Sequence, residues 1–273
     1  MKASIIISVY KNVEMLQLIL DSLRYQSMPI SEVIISEDGE DARMHQFVAS
    51  YDWFCPYQHL TQPDLGWRKN RALNRAVVAA SHEWLIFIDG DCILHPRFVE
   101  MHMRYAAPNR ILLGKRVKLS PSVSQKILGG NIHYPCRWWR LFNSGCRYAD
   151  EGIFVPICLN KQLRSTRHLT GCNMSFSRSA ILSINGFDEE YVKPAVGEDA
   201  DIDWRFRAKG YEVVIESPTN QQFFRLPNEV IDRLRHEASF DYWGARGETH
   251  SIVRFVTSWS TTAEDVDILI ELL

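Results

Sequence analysis

The sequence feature that most constrains the fold is a short apolar run that ends abruptly on two aspartates. Trp84 to Ile88 are all apolar, rich in aromatic and β-branched types, and too few for a helix. Such a run predicts a β-strand that is buried on both faces. Asp89, Gly90 and Asp91 follow it directly. Because ligands of open α/β sheets bind beyond the carboxyl ends of the strands, we expect both carboxylates to stand at a ligand site.

The Asp-Gly-Asp tripeptide suits a divalent cation. Gly90 lets the backbone turn, so that the carboxylates of Asp89 and Asp91 converge on one point. Paired carboxylates favour Mg²⁺ or Mn²⁺, hard cations that keep open positions for phosphate oxygens. Asp-Gly is also ordinary turn chemistry, and the tripeptide alone does not decide between these two interpretations.

Composition excludes several classes of protein. The chain has 273 residues, enough for one large α/β domain or two small ones, and its 46% hydrophobic and 23% charged residues are ordinary for a globular protein. A formal net charge of −2 provides no global field that would attract nucleic acid. The six cysteines show no C-x-x-C pair, so we interpret them as reduced thiols of a cytoplasmic protein. The sequence has neither a secretory signal nor an apolar run of the roughly 18 residues that a membrane span needs, so any membrane contact is expected to be peripheral.

A second carboxylate is predicted at the same edge of the sheet. Ser4 to Tyr10 and Glu32 to Ser36 are β-branched runs separated by a helical pattern, which predicts a right-handed βαβ unit with parallel strands. Asp38 follows the second strand and therefore occupies the same kind of place as Asp89. A carboxylate there can accept hydrogen bonds from a base edge or from ribose hydroxyls, and a plain acidic turn is the alternative.

A basic helix start is the third feature of this half. Gly66 to Ala80 has the alanine content and apolar face of a helix, and its first turns carry Arg68, Lys69, Arg71 and Arg75. Cations at a helix start oppose the macrodipole, and an anionic ligand such as a diphosphate would offset that cost. A solvated basic face is the alternative.

Two further segments have a distinctive composition, one rich in aromatic and one in acidic residues. Residues 134–154 hold the aromatics Tyr134, Trp138, Trp139, Phe142, Tyr148 and Phe154, which either close over a ligand, touch a lipid-linked acceptor or form a satellite core.

An acidic run precedes an apolar, helical segment and consists of Glu198, Asp199, Asp201 and Asp203. Acidic residues cap helix starts, but four carboxylates in six positions exceed that need, so one of them is a candidate general base.

These motifs, in this order, resemble the family 2 glycosyltransferases of the GT-A fold. The matching stretches, within about residues 4–211, are the first strand Ile5–Tyr10, Ser36–Gly39, Ala72–Asn74 leading to Trp84, Asp89–Asp91, Gly186–Glu189 and Gly197–Asp199. Each motif is weak alone, whereas the ordered set is specific. The stretch from Gly171 onward is also similar to the acceptor-side half of galactosyltransferase and chondroitin-polymerase-type enzymes.

The resemblance implies a fold and a division of the chain. It implies an α/β GT-A fold, in which helices flank a Rossmann-like, nucleotide-binding mixed sheet, with a C-terminal helical elaboration. Residues 1–273 would form a single domain. Residues 1–118 would bind the nucleotide-sugar, residues 119–215 would form the acceptor-binding and catalytic half, and residues 216–273 would be an extension with polar helices at 229–239 and 263–273.

The resemblance also implies roles for matching residues. Asp38 would contact the donor's uracil, Asp89 its ribose and the metal, and Asp91 would bind Mn²⁺ or Mg²⁺ directly. Asp199 would be the base, with Glu198 holding the acceptor. Ser8, Tyr10 and Asn74 would line the nucleotide pocket, and with Arg71 and Gly90 they complete the predicted donor site.

The chain departs from the family pattern at one place. Relatives often carry a metal-ligating histidine in a Tyr-His-Leu-like stretch, where this chain reads Phe224-Arg225-Leu226-Pro227-Asn228. Either His236 serves as the third metal ligand, or Arg225 neutralises the diphosphate instead. We prefer His236.

The implied activity is a metal-dependent, inverting transfer of a sugar from a UDP-sugar to a hydroxyl of a glycan or lipid-linked acceptor. Bacterial surface polysaccharide synthesis is one such setting, with possible peripheral contact at the inner face of the membrane. A nucleotidyltransferase, or a non-catalytic protein that binds nucleotide or glycan, is the alternative. A dinucleotide-binding oxidoreductase is disfavoured, because no G-x-G-x-x-G follows the first or second strand.

Overall fold

The computed structural model of the protein describes residues 1–130, 139–153, 171–193, 201–202, 205, 212–213, 221–235, 240–242 and 246–256. The strands are β1 (Ala3–Val9), β2 (Glu32–Glu37), β3 (Tyr57–Leu60), β4 (Trp84–Asp89), β5 (Arg110–Leu113), β6 (Met174–Ser177), β7 (Glu212–Val213), β8 (Gln221–Pro227), β9 (Asp241–Tyr242) and β10 (His250–Val256). The helices are α1 (Val13–Arg24), α2 (Ala42–Ser50), α3 (Lys69–Ala79), α4 (Phe98–Tyr105), α5 (Pro121–Leu128), α6 (Trp139–Phe142), α7 (Arg178–Ser183) and α8 (Asn228–Leu234). A 3₁₀ turn spans Ala149–Gly152.

The main sheet is mixed, as predicted. Its strand order is β3-β2-β1-β4-β6-β5-β7. The central strand β1 is parallel to β2 and β4, whereas β6 runs antiparallel to β4 and β5. Ser8 pairs in register with Ser36 on one side and Asp89 on the other. The carboxyl ends of β1, β2 and β4 therefore meet at one edge of the sheet.

The core lies on both faces of this sheet. Ile6 belongs to an apolar cluster that contains Leu73 and Val77 of α3, whereas Ile5 and Ile7 belong to a second cluster with residues of α1 and α2. Side chains of consecutive strand residues point to opposite faces, which explains this division. The expected burial of Trp84 to Ile88 on both faces is confirmed.

The C-terminal extension differs from the helical elaboration that was expected. Its described residues include the three-stranded antiparallel sheet β8-β10-β9 beside the helix α8. Aromatic and β-branched residues in β8 and β10 satisfy the pairing preference of strands, a signal that the helical interpretation overlooked. Residues 236–239 of one expected helix, and all of the other at 263–273, lie outside the described residues. Among the helices that the structure describes, none has the length and apolar character to cross a membrane.

Candidate active site

The carboxyl edge of β4 carries an ion pair. Asp89 ends the strand, and its Oδ1 lies 2.6 Å from the Nζ of Lys69, the first residue of α3. Both side chains are largely buried, with exposed fractions of 17% for Lys69 and 26% for Asp89. Charges that are partly shielded from water attract each other more strongly than surface charges do. The basic helix start and the Asp-Gly-Asp tripeptide are therefore parts of one site.

Gly90 is required by a close approach rather than by an unusual backbone angle. A Cβ atom built at this position would lie 2.6 Å from the carbonyl oxygen of Ser8 and 3.2 Å from the Cα of Val9. Both contacts are backbone atoms of β1. The absence of a side chain thus allows the end of β4 to lie directly against the central strand, which carries the half-buried Ser8.

Asp91 is exposed and lies within a tight turn. The backbone N–H of Cys92 donates to the carbonyl of Asp89 at 3.2 Å, so the tripeptide is a turn as well as a candidate ligand site. The Cys92 thiol also donates to Oδ1 of Asp91 at 3.3 Å. Within the described ranges, no group of three His, Cys, Asp or Glu side chains is placed to hold a metal ion. Two carboxylates do fit Mg²⁺ or Mn²⁺, which complete their shells with water and phosphate oxygens.

Asp38 lies at the carboxyl end of β2, as predicted, and its carboxylate is firmly held. It is only 6% exposed. One oxygen accepts from Nε2 of Gln62 and the other from the backbone N–H of Arg68, both at 2.7 Å. Arg68 is the residue before α3, so Asp38 ties the start of that helix to β2. Gln62 gave no sequence signal, and contact between Asp38 and a nucleotide base stays a prediction.

The cations at the start of α3 have different partners. Arg68 donates to the carbonyl of Pro63 at 2.9 Å, and Arg75 donates to the carbonyl of Thr61. Lys69 faces Asp89. Arg71 is exposed and forms no ion pair with any residue that the structure describes. Lys69, which faces a carboxylate, and Arg71, which is exposed, are therefore the candidate cations for an anionic ligand.

Tyr10 lies at the carboxyl end of β1 and is joined to the loop that precedes α3. Its hydroxyl donates to Asp64 at 3.2 Å, and the Nζ of Lys11 lies 2.6 Å from the same carboxylate. The hydrogen bond from Lys11 lowers the pKa of Asp64 below its usual range, and the one to Asp64 raises the pKa of Lys11. With 53% of its surface exposed, the Tyr10 ring remains open to a ligand.

Asn74 connects α3 to the Gly186–Glu189 segment. Its Oδ1 accepts from the backbone N–H of Phe187 at 2.7 Å, and its Nδ2 donates to the carbonyl of Phe187 at 2.8 Å and to Glu189 at 2.9 Å. Asn70, one turn earlier, donates to the carbonyl of Asp188 at 2.7 Å. The family resemblance implies that Asn74 lines the nucleotide pocket, and that role stays a prediction beside this structural one.

We expect Asn74→Ala to lower the free energy of unfolding by about 1–3 kcal/mol, because it leaves the backbone N–H and carbonyl of Phe187 without their partner. Urea unfolding measures the effect as a lower midpoint at constant slope. Val78→Ala is the matched control on the same helix, since Val78 is 65% exposed. Equal midpoints for the two variants would contradict the bridging role.

A thiol pair beside the tripeptide escaped the sequence analysis. The side chains of Cys92 and Cys172 interact, and the guanidinium group of Arg116 interacts with Cys172. The contact with Cys92, followed by the charge of Arg116, lowers the pKa of Cys172, whereas the contact with Cys172 raises the pKa of Cys92. Neither cysteine forms a disulfide with a described residue, and their interpretation as reduced thiols stays a prediction.

Three predicted site residues, Glu198, Asp199 and His236, lie outside the described residues. Asp201, which belongs to the same acidic run, is among the described residues. Asp201 pairs with Arg205 at 2.5 Å, and Nη1 of Arg205 donates to the carbonyls of Ile184 at 2.6 Å and Gly186 at 2.8 Å. Because Asn74 binds the adjacent Phe187, these contacts attach Asp201 and Arg205 to the segment that packs on α3.

A mixed α/β sheet flanked by helices, with carboxylates at the ends of β2 and β4 beside a basic helix start, has the architecture of the GT-A class. The model of glycosyl transferase family 2 matches residues 4–183 of the chain. This match covers more than half of the sequence. The chain therefore belongs to glycosyl transferase family 2.

Individual relatives are distant. Validoxylamine A glucosyltransferase of Streptomyces hygroscopicus subsp. jinggangensis (strain 5008) is 24% identical over 223 residues, which cover 78% of this chain and 53% of the relative. Chondroitin synthase of Escherichia coli is 24% identical over 226 residues, which cover 76% of this chain and 32% of the relative. The chain thus spans about half the length of the first relative and a third of the second.

A solved structure is similar to this fold. It is a mannosyltransferase from Pyrobaculum calidifontis in complex with GDP-Man and Mn²⁺, and it matches with a TM-score of 0.53 at 14% identity. The match covers 80% of this chain and 55% of the mannosyltransferase. At this identity the likeness establishes the GT-A fold, and the mannosyltransferase's ligands are facts about that protein.

Proposed function

We propose that this glycosyltransferase moves a sugar from a nucleotide-sugar, with a UDP-sugar as the candidate donor, to a hydroxyl of a glycan or lipid-linked acceptor. The observation that carries the proposal is the convergence of Asp38, Asp89 and Lys69 at one edge of the sheet. Carboxylates there suit ribose hydroxyls, a base edge and a cation, and an ammonium suits a diphosphate. The GDP-Man and Mn²⁺ of the similar mannosyltransferase support this choice of donor class.

Metal dependence is part of the proposal. Asp91 and Asp89 would hold Mg²⁺ or Mn²⁺, and His236 is the proposed third ligand. When bound, such a cation neutralises charge on the diphosphate leaving group. Lys69 and Arg71 add positive charge at the start of α3. The protein's own cations therefore share the stabilisation of the leaving group.

Asp199 is the proposed general base. It would accept the proton of the acceptor hydroxyl while that oxygen attacks the anomeric carbon opposite the leaving diphosphate, with Glu198 holding the acceptor. This in-line displacement inverts the anomeric configuration, and the transition state has oxocarbenium character, as in inverting glycosidases. Residues 1–118 would bind the donor, 119–215 the acceptor, and 216–273 would complete a single domain.

The acceptor class is proposed from the relatives and the aromatic segment. The relatives' names refer to validoxylamine A and chondroitin, so both acceptor types present hydroxyl groups. In the described part of the segment, Leu141 and Ala149 are buried in an apolar cluster, whereas Phe142 and Tyr148 are 48% and 49% exposed. The buried residues support the interpretation of this segment as a satellite core. The exposed aromatics are available to contact a glycan or a peripheral membrane surface.

A thermal-shift screen tests the donor class. A ligand that binds the native state stabilises it by about 2.7 kcal/mol at 100 times its dissociation constant, which raises the melting temperature. UDP-sugars and GDP-mannose are compared with and without Mn²⁺. We expect a shift with a nucleotide-sugar that grows when Mn²⁺ is present, and release of nucleoside diphosphate on turnover. Release of pyrophosphate would instead identify a nucleotidyltransferase.

Asp91→Ala is expected to remove the Mn²⁺-dependent part of UDP binding, because it deletes the exposed carboxylate of the cation site. In calorimetry with Mn²⁺ the UDP affinity should fall at least roughly tenfold, a change of about 1.4 kcal/mol. Asp52→Ala is the control, since its side chain is 94% exposed and pairs with Arg24. Unchanged affinity for UDP with Mn²⁺ in Asp91→Ala would count against the metal site.

A further inference from the structure

The ion pair of Lys69 and Asp89 places a resident cation on a carboxylate that is also the predicted ligand of a metal. The two groups approach to 2.6 Å and are largely shielded from solvent. Lys69 is the first residue of α3, where the helix macrodipole disfavours positive charge. Asp89 offsets this penalty, so the pair is favoured as long as no other anion competes for the ammonium.

An ammonium and a divalent cation compete for the Asp89 carboxylate. Lys69 occupies Oδ1 and neutralises the carboxylate charge that would otherwise attract a second cation. Asp91, by contrast, is exposed and accepts a weak thiol hydrogen bond from Cys92 at 3.3 Å. A divalent cation that enters the site in the absence of a nucleotide-sugar therefore meets the open carboxylate of Asp91 and the neutralised carboxylate of Asp89.

A diphosphate changes this balance. It carries more negative charge than a carboxylate, and a lysine ammonium is a point charge on a flexible stem that follows the stronger anion. The neighbouring Arg68 and Arg75 are less free to respond, because their guanidinium groups donate to the carbonyls of Pro63 and Thr61. Lys69, through its pair with Asp89, thus joins the predicted metal ligand to the predicted diphosphate site.

We propose that Lys69 makes binding of the divalent cation conditional on the donor. In the free protein its ammonium neutralises Asp89 and weakens cation binding, and a bound diphosphate takes the ammonium and releases Asp89 to the cation. The inference rests on the proposed function, since it needs a diphosphate-containing donor. Lys69 is a positioning residue here, because it acts on the cation through Asp89.

Thermodynamic linkage gives the proposal a measurable form. If the donor raises cation affinity by a given factor, the cation raises donor affinity by the same factor, and couplings of this kind are commonly about 5- to 150-fold. Removal of the ammonium frees Asp89 permanently. The variant should then bind the cation well without nucleotide and gain little more when nucleotide is added.

The experiment titrates the full chain with Mn²⁺, followed by electron paramagnetic resonance of the free ion, with and without saturating UDP. We expect Lys69→Met to bind Mn²⁺ alone about tenfold more tightly than the unmodified chain, and the gain produced by UDP to shrink by about the same factor. Lys11→Met is the matched control, because it removes another lysine–aspartate pair of 2.6 Å. Its Mn²⁺ affinity should be unchanged.

A second pair of variants separates this mechanism from a general effect of charge. In an Asp89→Asn background, Lys69→Met should leave Mn²⁺ affinity unchanged, because the carboxylate through which Lys69 acts is gone. Lys69→Gln, which keeps a polar side chain, repeats the test should methionine prevent folding, as monitored by circular dichroism. The proposal is overturned if Lys69→Met and Lys69→Gln bind Mn²⁺ no more tightly than the unmodified chain. It is also overturned if Lys69→Met raises the Mn²⁺ affinity by the same factor in the Asp89→Asn background.

The test also distinguishes this proposal from the proposed function. The titrations with Mn²⁺ alone contain no nucleotide, so they decide whether Lys69 holds the cation off Asp89. Failure of the unmodified chain to bind any nucleoside diphosphate, with Mn²⁺ present, would instead overturn the proposed donor class. Binding of UDP without any change in its coupling to Mn²⁺ in Lys69→Met would overturn the role of Lys69 alone.

Discussion

Asp199→Asn is expected to lower the rate of sugar transfer roughly 10²- to 10⁴-fold, the usual contribution of a general base. Asparagine has nearly the same shape but cannot accept the proton of the acceptor hydroxyl. Donor binding should be retained, because the proposed donor site lies at the ends of β2 and β4. Single-turnover transfer with a competent acceptor measures the rate, and calorimetry with UDP and Mn²⁺ measures binding.

Asp201→Asn is the matched control for this substitution. Asp201 belongs to the same acidic run, but its carboxylate pairs with Arg205, which holds the carbonyls of Ile184 and Gly186. We expect this variant to keep the transfer rate and to unfold at a lower urea concentration. Normal turnover in Asp199→Asn, or an equal loss of transfer in both variants, would remove Asp199 from the role of base.

The first half of the fold is predictable from local sequence because its strands are short, apolar and β-branched. A strand in the interior of a sheet is the structure that buries both faces of runs as short as Ser4 to Tyr10 and Trp84 to Ile88. The strands that these runs form, β1 and β4, lie in the centre of the sheet. The carboxylates that follow such strands meet at one edge by topology alone, which explains why Asp38 and Asp89 could be placed before the structure was known.

The partners of these carboxylates are not predictable in the same way. Gln62 and the backbone N–H of Arg68 reach Asp38 from a loop without periodicity, and nothing in the sequence distinguishes Lys69 from its basic neighbours as the partner of Asp89. Tertiary contacts over long sequence separations decide these pairs. The bond of Asn74 to Phe187, which lies 113 residues away, is of the same kind.

The acidic and basic groups of the site come from different elements of the fold. Its acidic groups follow strands β2 and β4, whereas its cations belong to the start of α3, and Asp38 holds that helix start through a backbone hydrogen bond. The position of Lys69 relative to Asp89 therefore depends on the packing of α3 against the sheet, where Leu73 and Val77 are buried with Ile6. Core packing and the electrostatics of the donor site are coupled through one helix.

Gly90→Ala is expected to lower the free energy of unfolding by about 1–3 kcal/mol, as overpacked sites do, and to weaken UDP binding as well. The added methyl group would lie 2.6 Å from the carbonyl oxygen of Ser8 and 3.2 Å from the Cα of Val9. These atoms belong to β1, which is hydrogen-bonded to β2 on one side and to β4 on the other and is therefore held in place. The end of β4 must move instead, and it carries Asp89 and Asp91.

Gly39→Ala shows whether the loss is specific to that close approach. A Cβ atom at Gly39, which follows Asp38 as Gly90 follows Asp89, would meet the Tyr10 ring at 3.8 Å and Oε1 of Glu37 at 3.9 Å, both ordinary contacts. Its stability should therefore stay within about 0.5 kcal/mol of the unmodified chain. Urea unfolding and UDP calorimetry on both variants complete the comparison. Equal stability and equal UDP affinity for Gly90→Ala and Gly39→Ala would show that the contact between β4 and Ser8 does not position the two aspartates.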